Sequence, residues 1–355
     1  MIDSDGSLAG FLPQLHAAEV VALDTEADSL HAYPEKLCLI QISLGKEDCL
    51  IDPLAPLDLA PLWAALKRHP LILHGADYDL RLFRKNHRFV PERIFDTMLA
   101  GRLLGEREFG LAHLLHKYLG VTLEKGSQKA DWARRPLTPR MEAYARNDTH
   151  YLAQLAAILR EQLREKGRLG WAEESCARLI VECAIPTEPQ PDRVWRVKGS
   201  HKLSRAALAV LRELWQWREQ EALGANKPPF FVLGHEALVE IAAAAVEQRP
   251  FAQWLPRHFS DRRREGLGRA VDAGLARPPQ EHPDYLRTKS HRQTELERRR
   301  FSELEKRRDV RAAELGIDPT LIASRAALLA LASHWEQAAA DLMTWQKELL
   351  SVSAL

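Results

Sequence analysis

The sequence predicts an α/β domain followed by helical domains, and three observations support that prediction. Short apolar runs typical of strands occupy much of the first 75 residues, and longer segments with helical periodicity follow them. Two proline-containing breaks, at 185–192 and 277–284, then divide the remaining chain into helical blocks. A length of 355 residues agrees with two or three domains, and an apolar share of 46% is sufficient for folded cores.

The first domain is predicted to contain four strands followed by helices. Gly45 and Lys46 form a turn between the second and third runs, which indicates an antiparallel meander, and Gly75 ends the fourth run. The predicted strands are 20–24, 37–43, 49–51 and 71–74. The helices predicted from apolar periodicity are 78–86, 97–104, 111–119, 139–165 and 171–183.

The rest of the chain is predicted to be helical. One helical block lies between the two proline breaks and another follows the second break. Each contains an apolar helix, at 238–246 and at 322–332. The two blocks are similar in length, which indicates a weak internal repeat. The expected domains are 1–187, 193–275 and 280–355.

The composition argues against several classes of protein. No apolar run is long enough to span a bilayer, and the acidic start of the chain lacks the basic and apolar regions of a signal peptide. The four cysteines form no CxxC pair, so we expect neither a zinc site nor a disulfide framework. These observations predict a cytoplasmic protein that binds no membrane, and no obligate protein partner is evident.

The net charge of +1 hides a difference between the two halves of the chain. Residues 1–190 carry 23 Lys+Arg against 27 Asp+Glu, and the remaining residues carry 27 against 22. The basic second half is therefore better suited to holding a polyanion, while the candidate catalytic residues lie in the acidic half.

Four acids in three short segments, with one tyrosine, are the candidate catalytic residues. Asp24 and Glu26 are two residues apart at a strand end and share one face, and Tyr144 and Asp148 share one face of a helix. Asp79 lies at the start of the helix that follows the fourth strand. Taken singly, such residues more often belong to solvated loops or cap helices. The combination of all three segments in one domain indicates a site.

Acids that converge without counter-charges repel one another and raise each other's pKa values. Divalent cations remove this repulsion, and hard oxygen ligands suit Mg²⁺ or Mn²⁺. Two such ions about 4 Å apart stabilise the attacking and leaving oxygens of an in-line displacement. A phenol close to a metal ligand can hold the attacking water. The four acids therefore predict a phosphodiester-cleaving site with two divalent cations.

The three segments resemble the motifs of the DEDD superfamily of 3′→5′ exonucleases. LDTEAD resembles the first motif, HGADYDL the second and YARNDTHYL the third, and Tyr144 is typical of the tyrosine (DEDDy) subclass. Intervening segments such as LCLIQIS and IFDTMLAGRLLG resemble ribonuclease D and its relative in the eukaryotic nuclear exosome, over about residues 1–185. The resemblance implies a ribonuclease H-like fold, with a mixed sheet of five or six strands flanked by helices.

The resemblance also implies a role for each candidate residue. Asp24 would bridge both metals, Glu26 and Asp148 would complete the site on the nucleophile side, and Asp79 would hold the second metal. Tyr144 would orient the attacking water. The products would be nucleoside 5′-monophosphates released from a 3′ end.

Three residues are weaker candidates for substrate contact. His74 ends a strand that points toward the acids, although a histidine in such a place is more often structural. Gln128 and Lys129 lie in GSQKADW, which resembles the family's segment near the terminal nucleotides. Trp132 in the same segment is expected to be buried.

The basic half resembles the helicase-and-RNase-D C-terminal (HRDC) domain over 204–274, through NKPPFFVL and ALVEIA, and the last block resembles a divergent second copy. Charge runs are usually solvated helix faces. The cluster at 257–269 contains few acids, and we expect phosphate contacts there. The candidate contacts in this cluster are Arg262, Arg263 and Arg264.

We therefore expect a 3′→5′ exoribonuclease whose partner is RNA with a free 3′ end, and the family suggests tRNA precursors or other structured RNA. A DNA exonuclease would use the same acids, and HRDC domains also accompany DNA helicases, although this chain has no G-x-x-x-x-G-K-[ST] P-loop. A non-catalytic RNA-binding scaffold is a third alternative. Such a protein is expected to have lost a metal-ligating acid, whereas all four acids and Tyr144 are present in this sequence.

Overall fold

Five strands form one mixed sheet, with the bounds Val21–Ala27 (β1), Leu37–Leu44 (β2), Glu47–Ile51 (β3), Pro70–Leu73 (β4) and Arg93–Asp96 (β5). Their order across the sheet is β3-β2-β1-β4-β5. β1, β2 and β3 pair antiparallel, which confirms the predicted meander, whereas β4 pairs parallel with β1 and with β5. The strand β5 was not predicted, because four residues carry too short a pattern to be told from a loop.

The computed structural model of the chain describes residues 1–124, 126–186, 190–286 and 293–351. The chain divides into two compact units. The sheet unit consists of Met1–Ala27, Leu37–Pro186 and His291–Leu355, and the helical unit consists of Asp28–Lys36 and Thr187–Ser290. The three domain boundaries expected from the sequence stay predictions, but the last block groups with the sheet unit.

Helices flank the sheet within the first half of the chain. Their bounds are Asp5–Ala17 (α1), Ala60–Leu66 (α2), Asp77–His87 (α3), Thr97–Leu104 (α4), Leu111–Leu119 (α5), Pro139–His150 (α6), Leu152–Glu165 (α7) and Leu169–Ala184 (α8). α1 and α2 were not predicted. The helix predicted at 139–165 is two helices that meet at Tyr151, because the apolar periodicity continues across the junction and conceals it.

The helical unit contains Arg205–Ala225 (α9), Pro229–Val232 (α10), His235–Val246 (α11) and Asp261–Leu275 (α12). The last block contains Glu295–Leu315 (α13), Pro319–Ile322 (α14), Arg325–Ser333 (α15), Trp335–Ala339 (α16) and Thr344–Leu350 (α17). Short 3₁₀ segments cover Ser200–Lys202, Ala252–Trp254 and Pro279–Glu281. The helix predicted at 322–332 begins later than expected, because the Ser324 hydroxyl accepts from the Ala327 N–H and caps α15.

The sheet is covered on both faces, which explains the nearly continuous apolar run of β2. Val21 and Leu23 of β1 pack in one apolar cluster with α1, α2 and α3, whereas Ala22 packs in another cluster with α4, α5 and α7. Since side chains alternate along a strand, residues 24 and 26 point to the same side as Ala22. None of the described helices is both long and apolar enough to cross a membrane.

Candidate active site

The end of β1 carries the first two acids. Asp24 and Glu26 lie on the face of the sheet that α6 packs against. Both side chains keep partial contact with solvent although protein surrounds them, an arrangement typical of the floor of an open cleft. Asp24 stands directly opposite Gln41 of β2 in the antiparallel register.

The third acid, Asp79, lies in the first turn of α3 and is buried. The Thr25 hydroxyl of β1 donates a hydrogen bond to its carboxylate, which ties the start of α3 to the strand that carries Asp24. Asp77 is the other acid of this turn. Its carboxylate is exposed and accepts from Arg81 Nε at 2.8 Å, so it serves the helix surface.

A buried carboxylate that the sequence analysis missed holds the turn before α3. Asp96, at the end of β5, accepts hydrogen bonds from the backbone N–H groups of Gly75 and Ala76, at 2.9 Å each. It also caps α4 through the Met98 N–H at 2.8 Å. One side chain therefore fixes both the helix start that carries Asp79 and the next helix. An aspartate directly before a helix is the signal that could have identified it.

α6 supplies the tyrosine and the fourth acid. Thr138 caps this helix by accepting from the Met141 N–H at 3.2 Å. Tyr144 and Asp148 lie one turn apart on its partly buried side, and their side chains hydrogen-bond. The adjacent Thr149 hydroxyl is hydrogen-bonded at 2.7 Å to the Ser43 hydroxyl of β2, which fixes the helix against the sheet.

The segment before α6 lies against the Tyr144 ring. Gly126 approaches so closely that a Cβ atom on it would stand 1.7 Å from Tyr144 Cδ2. The Gln128 side chain is a hydrogen-bond partner of Tyr144. Trp132, which is buried as expected, has its ring centroid 6.1 Å from that of Tyr144. The tyrosine is therefore held by its helix on one side and by this segment on the other.

The pKa values show that the four acids share one environment. Burial, then repulsion from Asp79, Asp148 and Glu26, raises the pKa of Asp24 well above its ordinary range. Burial and the charges of Asp148 and Asp79 raise the pKa of Glu26 to about 9. Burial raises the pKa values of Asp79 and Asp148 to about 7 each. Three segments distant in sequence thus act on one another electrostatically.

This donor set fits divalent cations. A paired Lys or Arg would lower the pKa of a carboxylate, and these four are raised, so their negative charge is not compensated. Carboxylate oxygens are the ligands that Mg²⁺ and Mn²⁺ prefer. In the described part of the chain, no group of three or more His, Cys, Asp or Glu is already arranged as a metal-binding cluster. The acids lie close to one another, but their side chains are not already arranged around a common metal position.

The weaker candidates differ in their surroundings. His74 Nδ1 lies 2.9 Å from the Thr97 hydroxyl oxygen, and burial lowers the histidine pKa, which favours the neutral ring. Lys129 is exposed in the segment before α6. Gln128, through its hydrogen bond to Tyr144, is joined directly to one of the five principal candidates.

The three arginines expected to contact phosphate lie in the helical unit, where they form hydrogen bonds with protein groups. Arg262 donates to both carboxylate oxygens of Glu221, at 2.8 and 2.6 Å, and Arg263 Nε donates to the same carboxylate at 3.2 Å. Arg264 Nε donates to the Phe259 carbonyl at 3.3 Å. Two guanidinium groups share one carboxylate, so this surface keeps a positive charge.

Two family models match parts of the chain. Residues 1–164 match the model described as 3′-5′ exonuclease, and residues 207–247 match the HRDC domain. The chain therefore has the domain composition of an exonuclease joined to an HRDC domain, which confirms the predicted fold class of an α/β domain followed by a helical region.

Individual relatives specify the family. Ribonuclease D of Shewanella sp. (strain ANA-3) is 34% identical over 244 residues, which cover 68% of this chain and 63% of that protein. Ribonuclease D of Granulibacter bethesdensis is 32% identical over 272 residues, which cover 74% of this chain and 68% of that protein. The chain belongs to the ribonuclease D family.

A solved structure has the same overall fold. The crystal structure of Escherichia coli RNase D, described as an exoribonuclease involved in structured RNA processing, is similar at a TM-score of 0.72 and 27% identity. The similarity covers 95% of this chain and 90% of that one. The alignment with the Shewanella protein, in contrast, spans less than two thirds of that relative's length.

Proposed function

We propose that this protein is a metal-dependent 3′→5′ exoribonuclease that releases nucleoside 5′-monophosphates. One observation carries the proposal: the acids of α3 and α6 lie close enough to Asp24 and Glu26 of β1 to raise, together with burial, the pKa values of both. Membership of the ribonuclease D family supports RNA as the substrate.

The residues that would hold two divalent cations, Mg²⁺ or Mn²⁺, are Asp24, Glu26, Asp79 and Asp148. When bound, the cations supply the positive charge that stabilises the attacking and leaving oxygens of a phosphodiester. The acids lose their protons as they take up this role, because a cation offsets the repulsion that raises their pKa values.

Tyr144 would hold the attacking water. Burial and the charges of Asp148, Glu26 and Asp24 raise its pKa, so the phenol keeps its proton at every physiological pH and can exchange its hydrogen bond to Asp148 for one to the water. Gly126 and Gln128 restrict the ring to one position. A fixed donor of this kind selects one orientation of the water relative to the phosphate.

The partner we propose is RNA with a free 3′ end, such as a tRNA precursor or another structured RNA. The HRDC match and the positive charge of the second half support a role for the helical unit in holding the phosphate backbone. The similar Escherichia coli RNase D is an exoribonuclease involved in structured RNA processing, which agrees with this substrate class. We also propose a reducing, cytoplasmic location, since all four cysteines are free thiols.

The experiment that tests this function uses 5′-labelled single-stranded RNA and DNA of matched sequence, with Mg²⁺ or with chelator. We expect a ladder that shortens from the 3′ end of RNA, that disappears with chelator, and that Asp24→Asn abolishes. Asp77→Asn is the matched control, because this exposed aspartate of the same region serves the helix surface and should leave cleavage unchanged.

Each alternative predicts another outcome. Degradation of DNA as fast as RNA would assign a general 3′→5′ exonuclease. Binding of RNA without any cleavage would assign a scaffold, and full turnover by Asp24→Asn would remove this aspartate from the site.

A further inference from the structure

We propose that Gln41 is a positioning residue of the active site, whose side-chain amide orients the carboxylates of Asp24 and Asp148 when divalent cations bind. The inference rests on the proposed function and adds to it a residue to which no catalytic or binding role has been assigned.

Gln41 is fully buried, and neither its Nε2 nor its Oε1 atom has a hydrogen-bond partner within the described residues. Buried polar side-chain atoms are satisfied in the large majority of cases, because an unpaired amide in the interior is destabilising. The other residues of β2 on both sides of it are apolar, with the exception of Ser43, which is hydrogen-bonded. An amide at this position therefore calls for a specific explanation.

The register places this amide beside the acids. Gln41 stands directly opposite Asp24, and residues opposite each other in an antiparallel pair present their side chains on the same face. Leu39 and Ser43 lie two residues before and after Gln41. Leu39 packs in one apolar cluster with Ala145 of α6, and the Ser43 hydroxyl is hydrogen-bonded to Thr149 of the same helix. Gln41 lies between these two contacts.

The stretch of α6 between those contacts carries the fourth acid. Asp148 follows Ala145 by three residues and precedes Thr149, so it belongs to the turn that covers Gln41. Asp24 and Asp148 also interact electrostatically, which places their carboxylates close together. The unpaired amide of Gln41 therefore lies on the same face of the sheet as Asp24 and Asp148.

The chemistry of an amide suits this position. Its NH₂ group donates two hydrogen bonds to carboxylate oxygens, and because it carries no charge it does not compete with cations as Lys or Arg would. Groups that hydrogen-bond to metal-ligating side chains fix their orientation, and their loss commonly lowers metal affinity or activity roughly 10- to 100-fold.

The test compares wild-type protein with Gln41→Met, which keeps the length of the side chain and removes the amide. In chelator we expect Gln41→Met to unfold at a temperature roughly 2–4 °C higher, as relief of one unpaired buried group implies for a chain of this kind. With Mg²⁺, we expect roughly 10- to 100-fold weaker cation binding, measured as the concentration that half-saturates the thermal shift. The kcat on a short RNA should fall similarly, with KM for RNA unchanged.

Two further variants complete the comparison. Ile42→Met changes a buried neighbour that points to the opposite face, and should leave the cation response as in wild type. Gln41→Leu repeats the removal with another apolar side chain if the methionine variant does not fold. A normal cation response in Gln41→Met would overturn the proposal, whether or not this variant is less stable than wild type in chelator.

The outcome also separates this inference from the proposed function. The thermal shift with Mg²⁺ does not require cleavage, so it reports on Gln41 even if wild-type protein degrades no RNA. An active wild type with an equally active Gln41→Met would remove the positioning role and leave the exonuclease assignment intact.

Discussion

The acids of the site make the stability of the cation-free protein depend on pH in an unusual direction. The native pKa values of Asp79 and Asp148 are about 7 and that of Glu26 is about 9, all raised by burial from ordinary values near 4. Between the ordinary and the raised pKa, the native state binds more protons than the unfolded chain. Stability therefore decreases as pH rises through this window.

We expect the unfolding midpoint in chelator to fall from pH 5 to pH 9. The contribution of each carboxyl group is complete below its ordinary pKa and is lost as pH passes its raised value, near 7 for Asp79 and Asp148 and near 9 for Glu26. Denaturant unfolding at pH 5, 7 and 9 measures this slope. Saturating Mg²⁺ should flatten it, because a bound cation favours the deprotonated acids.

The Asp24→Asn variant is the control for this slope. Removing one of four mutually repelling acids should make the protein more stable than wild type at pH 9 in chelator, and should make the pH dependence shallower. An equal slope in the two proteins would show that the acids are not coupled as their pKa values indicate.

The residues that the sequence could not identify are those whose role depends on tertiary contact. Asp24, Glu26, Asp79, Tyr144 and Asp148 could be proposed together because each lies in a short segment with a recognisable pattern. The place of Asp96 directly before a helix indicates a cap, but its hydrogen bonds to the Gly75 and Ala76 N–H groups of another loop follow only from the fold. The position of Gln41 opposite Asp24 depends on the strand register, which the local pattern does not give.

The segment 126–132 determines the position of the Tyr144 ring. One end is anchored through Arg135, whose guanidinium forms a bidentate pair with Asp52 at 2.5 and 2.6 Å and also donates to the Cys38 carbonyl. The other end reaches the tyrosine ring at Gly126. A glycine is required there by close approach, since any Cβ would overlap the ring.

We expect Gly126→Ala to lower turnover by on the order of 10²-fold, because either Tyr144 or the segment must move and a misplaced catalytic group has a cost of that size. The cation-induced thermal shift should persist, since the acids themselves are unchanged. Gly170→Ala is the matched control: a Cβ there meets nothing within 4 Å, and turnover should stay as in wild type. Unchanged turnover in Gly126→Ala would show that the segment does not position the tyrosine.

The elements themselves were predictable to the extent that their patterns are long and periodic. The meander of β1, β2 and β3 follows from apolar runs and a glycine turn. The junction at Tyr151 could not be seen, because both helices bury the same kind of apolar side chain on continuous spacing. α1 contains Pro13, a residue that argues against a helix in sequence alone.

The last helical block, which begins after the second proline break, is part of the sheet unit. Trp345 of α17 stacks on Trp171 of α8, with ring centroids 4.8 Å apart and planes within 13°. Arg168 donates to the carbonyls of Leu103 and Leu315, at 2.8 Å each, and so joins α4 to α13. The proline break at 277–284 separates this block from the helical unit in sequence, but its apolar side chains complete the core beside the sheet.

We expect Trp345→Ala to destabilise the protein by about 3–5 kcal/mol, the usual cost of truncating a large buried aromatic side chain. Trp335→Ala, in the same block but 37% exposed, should change stability by only about 0.5 kcal/mol. Denaturant unfolding of both variants in chelator measures the difference. Equal effects would show that the block is attached to the sheet unit only loosely.

The helical unit offers a charge test that needs no truncation. Glu221 offsets part of the positive charge of Arg262 and Arg263, so Glu221→Gln and Arg262→Gln change the same surface in opposite directions. If this surface contacts RNA phosphates, Glu221→Gln should tighten RNA binding and Arg262→Gln should weaken it. Each should shift the slope of log affinity against log salt by up to about 0.7, the value for one phosphate contact on a single strand.

The measurement requires RNA that survives the titration, so both substitutions are placed in the Asp24→Asn background and followed by fluorescence anisotropy at several salt concentrations. Opposite shifts of affinity and slope would identify the phosphate-binding surface of the helical unit, because a general loss of folding cannot tighten binding in one variant. Identical affinities in both variants would place the RNA on another surface and leave Glu221 as a purely structural partner of the two arginines.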